Sequence, residues 1–264
     1  MATILAGPWV GEFGWELFCW QGYLRKLSDN GNKIIVVSRK TSKFLYDDFA
    51  NKFIACNPHG TNTDAYKCID SKPKLKNILK QNKFDKHIDP RKGIVFFSNE
   101  SVDQYKNFKG QHFYKYGKKG SVNGYDVLVH ARSTNKCGTY FRNWTLDKWE
   151  HLSKILKREN LSIASIGLKN DALLVPNTDD LLGVELKDMV DIMANSRIIA
   201  GPSSGPMHLA SLCGLTQVVW SEHKNRQKYK VHWNPFNTKV VFYCKESWNP
   251  TVENAYGLIK RGLS

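Results

Sequence analysis

The chain of 264 residues has no apolar run approaching the roughly 18 to 20 residues that a membrane-spanning helix needs. Its longest runs, Lys33-Ile-Ile-Val-Val-Ser38 and Gly93-Ile-Val-Phe-Phe-Ser98, are strand-sized, so no membrane span is expected. A basic region ahead of Thr3 is missing, and the apolar start breaks at Gly7-Pro8, which reads as a first strand and not as a signal peptide. Cysteine is scarce: Cys19, Cys56, Cys68, Cys137, Cys213 and Cys244 form no CxxC pair and no His/Cys ligand spacing. That pattern excludes a disulfide frame and a structural zinc site, and fits reduced, packed thiols in a cytoplasmic protein. In that compartment the sequons at Asn99, Asn143 and Asn160 carry no glycan. Acid is the other shortage, with 24 Asp plus Glu against 39 Lys plus Arg and a net charge of +15.

With 41% hydrophobic and 12% aromatic residues the chain belongs to the ordinary globular class, and its length suits two modest domains. Residues 1 to 124 hold 21 basic and 11 acidic side chains (+10), and residues 125 to 264 hold 18 and 13 (+5). The densest basic stretch runs from Lys72 to Lys92. Such a field concentrates a polyanion by counterion release, or simply keeps a lysine-rich surface solvated.

Strand and helix patterns alternate in both halves, the signature of parallel sheets built from βαβ units. The first half reads as strand 3–9, helix 15–28, strand 33–38, helix 41–52, and strands 84–88 and 93–97. Gly117-Lys-Lys-Gly-Ser-Val-Asn-Gly124 has linker composition, which divides the chain into residues 1–120 and 121–264. The second half reads as strand 125–130, helix 145–159 with Thr145 as N-cap, strand 162–167, helix 186–195, strand 198–201, a helix from Gly205 and strand 217–220. A helical tail, 247–263, is expected to cross back and brace the first domain.

Two segments carry chemistry. Gly201-Pro-Ser-Ser-Gly-Pro-Met-His-Leu-Ala210 follows a buried strand and opens a helix, so its amides and the Ser203 and Ser204 hydroxyls face the positive end of the helix dipole and form an anion cradle. Gly205 allows close backbone approach, and Pro206 suits a first helical turn. Gly11-Glu-Phe-Gly-Trp-Glu-Leu17 follows the first strand, and Glu12 and Glu16 are the only carboxylates in the first 28 residues. Either is a candidate general base for a hydroxyl nucleophile, although an acid in a first helical turn is favoured electrostatically without any function. Trp9 and Phe13 flank the loop and are candidates for stacking on a base or a sugar, whereas Trp15, Phe18 and Tyr23 have core spacing. The acid pairs Asp47-Asp48 and Asp179-Asp180 make no DxD metal motif, and no metal is expected.

The 201–210 segment resembles the (D/S)-(S/T)-G-P-x-H-L-A motif of the heptosyltransferase-like (family 9) glycosyltransferases of GT-B fold. The helix and strand of Leu186–Gly201, His130-Ala131 and Arg142-Asn-Trp144 extend the likeness over roughly residues 125–222. The resemblance implies two Rossmann-like α/β domains facing across a cleft, a metal-independent and inverting reaction, and no cofactor beyond a nucleotide-sugar co-substrate, a UDP-sugar first. Around the donor diphosphate it places Ser203, Ser204, Gly205 and Met207, with His208 behind them and Ser133, Thr134 and Arg142 on the facing loop. Arg132 and Arg142 have a physical case of their own, because a guanidinium offsets the charge on a departing diphosphate. Gly11, Phe13 and Gly14 become the acceptor loop, with Glu12 or Glu16 removing the acceptor proton. The family often has Asp where this chain has Ser203, which leaves the role of that carboxylate open. The excess of positive charge on the acceptor half favours double-stranded DNA as the partner. The expectation is then a DNA glycosyltransferase of bacteriophage type, working in the host cytoplasm and flipping a hydroxymethylated base. The alternatives are a heptosyltransferase-like enzyme of lipopolysaccharide or another cell-surface glycan, and a non-catalytic nucleic-acid-binding module of the same fold.

Overall fold

The computed structural model describes residues 1–9, 11–56, 71–90, 110–134 and 140–264, with no side-chain detail for 71–74. The chain divides into two units, Met1–Phe113 and Tyr114–Ser264.

In the first unit, β1 (Thr3–Ala6) pairs in parallel with β2 (Lys33–Ser38), whose Ile-Ile-Val-Val run is buried along its length. Strand β1 stops at Gly7, where φ is 121° and an added Cβ would lie 2.3 Å from the Val37 carbonyl oxygen, so only glycine lets the chain leave the sheet here. The helix expected over 15–28 begins earlier, as α1 (Phe13–Trp15). It widens into a π turn over Glu16–Trp20, every residue of which is buried, and continues as α2 (Gln21–Asp29). The helix expected over 41–52 is instead a short 3-10 stretch, Lys40–Tyr46, followed by strand β3 (Lys52–Ala55). A four-residue strand contains too few alternations to be separated from a helix end by periodicity, and pairing with β2 decides it. Helix α3 (Ser71–Gln81) then leads to β4 (Lys86–Ile88), giving the parallel order β3-β2-β1-β4. The strand expected over 93–97 lies outside the described residues.

The second unit contains β5 (Val127–Val129), α4 (Leu146–Arg158), β6 (Ile163–Gly167), β7 (Asp179–Leu182), α5 (Leu186–Asn195), β8 (Ile198–Pro202), α6 (Gly205–Cys213), β9 (Thr216–Trp220), β10 (Val240–Tyr243) and α7 (Val252–Leu263). Its six strands are parallel in the order β10-β9-β8-β5-β6-β7. The acid pair Asp179-Asp180 starts the edge strand β7, which sequence alone did not indicate. Thr145 does stand at the N-cap of α4 but makes no side-chain cap, whereas Thr251 accepts from the Asn254 amide at 3.1 Å and caps α7. The 117–124 stretch is no free linker. At Gly117 (φ 83°) a Cβ would lie 2.2 Å from the Val190 carbonyl oxygen, and the Lys118 and Gly120 amides donate to Asp191 at 2.7 Å and Asn195 at 2.6 Å on α5. Helix α7, expected to brace the first unit, buries Val252, Ala255, Leu258 and Ile259 in the core of the second unit with Trp144, Trp149 and Trp220.

Among the described residues no helix is long and apolar enough to cross a membrane. The four cysteines described, Cys19, Cys56, Cys213 and Cys244, are free thiols.

Candidate functional site

Ligands of open parallel sheets sit beyond the carboxyl ends of the strands, where the strand order reverses. In the second sheet that point lies between β5 and β8, so the segments leaving these strands, His130–Thr134 and Ser203–Gly205, hold the crevice. In the first sheet it lies between β1 and β4, and the segment leaving β1 carries Gly11 and Glu12. Sequence motifs and topology therefore select the same segments.

At the start of α6, Ser204 stands at the N-cap with its backbone extended (φ −164°), and its hydroxyl does not cap the helix. That hydroxyl is buried and has no hydrogen-bond partner among the described residues, beside a helix end that favours anions. Gly205 and Pro206 form the half-buried first turn. The Ser203 hydroxyl accepts a hydrogen bond from Tyr229 at 2.8 Å. Met207 is fully buried and packs near Gly201, 3.5 Å from a Cβ placed there, so it supports the cradle from the core. His208 is a core side chain as well. Its ring stacks on Tyr229 at 4.5 Å and meets the Trp233 edge at 4.5 Å, and burial, aided by the charge of Lys228, holds it well below the usual histidine range.

On the segment after β5, His130 is buried and held at about 4 by desolvation, with Nδ1 3.1 Å from the Ile166 carbonyl. The Ser133 amide donates to the Asp171 carbonyl at 2.9 Å. Arg132 is buried, and its Nη1 donates to the Thr134 carbonyl at 2.9 Å and to Asn143, so it braces this loop. Arg142 is the more available guanidinium. It lies 4.5 Å from the Trp248 ring centre and 5.7 Å from that of Phe141, and its Nε has no partner among the described residues. Trp248 in turn donates to Glu222 at 3.0 Å. Glu222 is held below the usual carboxylate range by its bonds to Lys224 and Trp248, with a smaller contribution from Arg142. The positive charge of Arg142 also acts weakly on Tyr229.

In the first unit the two candidate carboxylates separate. Glu12 is exposed at the start of α1, its carbonyl receiving the Glu16 amide at 3.1 Å. Glu16 is fully buried, and its oxygens accept from Ser38 at 2.5 Å, Ser42 at 2.7 Å and Tyr46 at 2.7 Å. Burial raises its carboxyl above the usual range despite those three bonds. Arg39 beside it donates to the Gly11 carbonyl at 2.6 Å and fixes the loop. Gly14 is buried, Phe13 is half-buried, and Trp9 is a core residue stacked on Trp20 at 5.4 Å, not a stacking platform. Asp48 is used by Arg25 and Asp47 by Lys43, and no group of three or more His, Cys, Asp or Glu among the described residues is placed to hold a metal.

Sequence reasoning missed Tyr229, Glu222 and Trp248, which lie in stretches without periodicity or a motif, and it missed the shell around Glu16. No local signal marks them, because each is recruited by packing.

No family model matches the chain, and no curated protein matches it in sequence. Solved structures do. The family 9 glycosyl transferase of Veillonella parvula superposes with a TM-score of 0.67 at 11% identity, covering 99% of this chain and 97% of that one. The E. coli heptosyltransferase WaaC with ADP gives 0.63 at 12% identity over 99% and 100% of the two chains. The E. coli ADP-heptose lipopolysaccharide heptosyltransferase II gives 0.63 at 14% identity over 100% and 98%. The fold is the two-unit α/β arrangement of GT-B glycosyltransferases.

Proposed function

We propose that the chain is a heptosyltransferase-like glycosyltransferase, moving a sugar from a nucleoside diphosphate donor to a hydroxyl of a cell-surface glycan. The observation that carries this reading is the cradle at the start of α6. There a helix end without a side-chain cap and the Ser204 hydroxyl, unpartnered among the described residues, stand at the strand-order reversal, and the charge of Arg142 acts on Tyr229, which donates to Ser203. Such an arrangement suits a diphosphate. Positive dipole ends and a guanidinium stabilise the negative charge that builds on a departing nucleoside diphosphate. Glu12, the exposed carboxylate on the loop after β1, is the general base that takes the acceptor proton as the hydroxyl oxygen attacks the anomeric carbon. One direct displacement of this kind inverts the anomeric centre. Glu16, occupied by three hydroxyls, shapes the loop and takes no proton from substrate.

Neighbours described as heptosyltransferases, one of them with ADP, support a glycan acceptor and bring ADP-sugars beside the UDP-sugars expected from sequence. The DNA acceptor gains no support from them. The described lysines of the first unit are divided, with Lys40 and Lys43 following β2 at the end of the sheet that carries the Gly11–Glu12 loop. Lys33, Lys52 and Lys86 open β2, β3 and β4, with Lys80 and Lys83 close by, at the end of the sheet opposite the Gly11–Glu12 loop.

The deciding experiment measures nucleoside diphosphate release from ADP-, UDP- and GDP-sugars, alone, with truncated lipopolysaccharide core acceptors and with hydroxymethylated duplex DNA. Release stimulated by a glycan acceptor is the expected result. Stimulation by DNA alone would restore the nucleic-acid reading, and silence throughout would favour a binding module.

A further inference from the structure

Ser203 does not act alone. Tyr229, on the helical turn Lys228–His232, is buried with 1% exposure, and its hydroxyl donates to Ser203 Oγ at 2.8 Å. A ring nitrogen of His208 stands 3.4 Å from the phenol oxygen. Burial pushes the phenol far above its ordinary range, so it stays a neutral donor. The direction of the chain then follows from the donor inventory. Ser203 Oγ accepts from Tyr229, so its own proton remains to be given to another acceptor. Hydrogen bonds in series polarise one another, which makes a serine so held a stronger donor than an isolated one.

Resting on the glycosyl-transfer reading above, we propose that Tyr229 is a positioning residue that aims the Ser203 hydroxyl at the diphosphate of the donor and of the departing product. A neutral relay of two hydroxyls then offers a hydrogen bond to the anion without placing a carboxylate beside it. No covalent step is involved; Tyr229 keeps its proton throughout.

The test uses Tyr229→Phe, Ser203→Ala and the double variant in the full chain. Tyr229→Phe removes one oxygen while keeping the ring that stacks on His208 at 4.5 Å and meets Phe242 at 5.8 Å. ADP, UDP and GDP are titrated by calorimetry, and melting is followed in parallel. The expected result is about a tenfold loss of affinity for the preferred diphosphate in each single variant, and no further loss in the double variant. Melting of the Ser203→Ala chain should be nearly unchanged. Single losses that add in the double variant overturn the relay, because independent contributions are additive. So does unchanged affinity in Tyr229→Phe when the unaltered protein binds. An unaltered protein that binds none of the three diphosphates defeats the glycosyl-transfer reading itself and the relay with it. If Tyr229→Phe fails to fold, Ser203→Ala with undiminished affinity still overturns the proposal.

Discussion

Glu12 and Glu16 are four positions apart on one helical start, and their surroundings give them different chemistry. Glu12 is exposed to solvent, whereas Glu16 sits among Ser38, Ser42 and Tyr46. Glu12→Gln should lower kcat by about a hundredfold or more while diphosphate affinity stays within a factor of two; a variant with normal turnover excludes Glu12 as base. Glu16 has a signature in stability instead. Its carboxyl is raised above the ordinary 4.5, so the folded chain holds the proton to higher pH than the unfolded chain does. Its contribution to stability is fully present below 4.5 and declines as pH climbs through the raised value. Glu16→Gln should flatten that decline. Urea midpoints of both chains from acid to neutral pH check it, and parallel curves would show that Glu16 titrates normally.

At the scale of single elements, capping separates two threonines that look alike in sequence. Thr251 accepts the Asn254 amide at 3.1 Å, while Thr145 leaves its helix uncapped by its side chain. Thr251→Ala should therefore cost about 1 kcal/mol, and Thr145→Ala only a few tenths, read from denaturant midpoints. Equal losses would mean that the cap geometry is wrong. The turn after β1 is stricter. Gly7→Ala must place a Cβ 2.3 Å from a backbone oxygen at a φ of 121°, and should cost several times as much as Thr251→Ala or prevent folding.

For the whole molecule, part of the positive charge of the first unit stands away from the loop that carries Glu12, while Arg39, Lys40 and Lys43 follow β2 at the loop's own end. The strands of the first sheet run parallel, so the lysines that open them gather at one end, and the loop with Glu12 leaves from the other. A chain carrying Lys52→Ser, Lys80→Ser, Lys83→Ser and Lys86→Ser should keep kcat on an uncharged acceptor within about twofold. A drop as large as that of Glu12→Gln would place these lysines in the transfer step. Exposed lysines contribute to long-range attraction and solubility, and salt screens them over about 10 Å at 0.1 M.

Periodicity and motif chemistry were enough to read the alternating architecture, the strand at 33–38, a strand over 198–201 that runs one residue further, the helix at 186–195, and the helix start at Gly205-Pro206. These are local properties: β-branched runs, amphipathic spacing, and the backbone demands of a helix start. The short strands β3, β7 and β10 and the helical turn carrying Tyr229 were not legible, because pairing and packing with distant segments select them. The same holds for the division of labour at the site. Sequence nominated Glu12 ahead of Glu16, and Arg132 together with Arg142. Tertiary structure buried one of each pair among partners up to 30 positions away and left the other available, because burial and hydrogen bonding depend on what folding brings alongside a side chain.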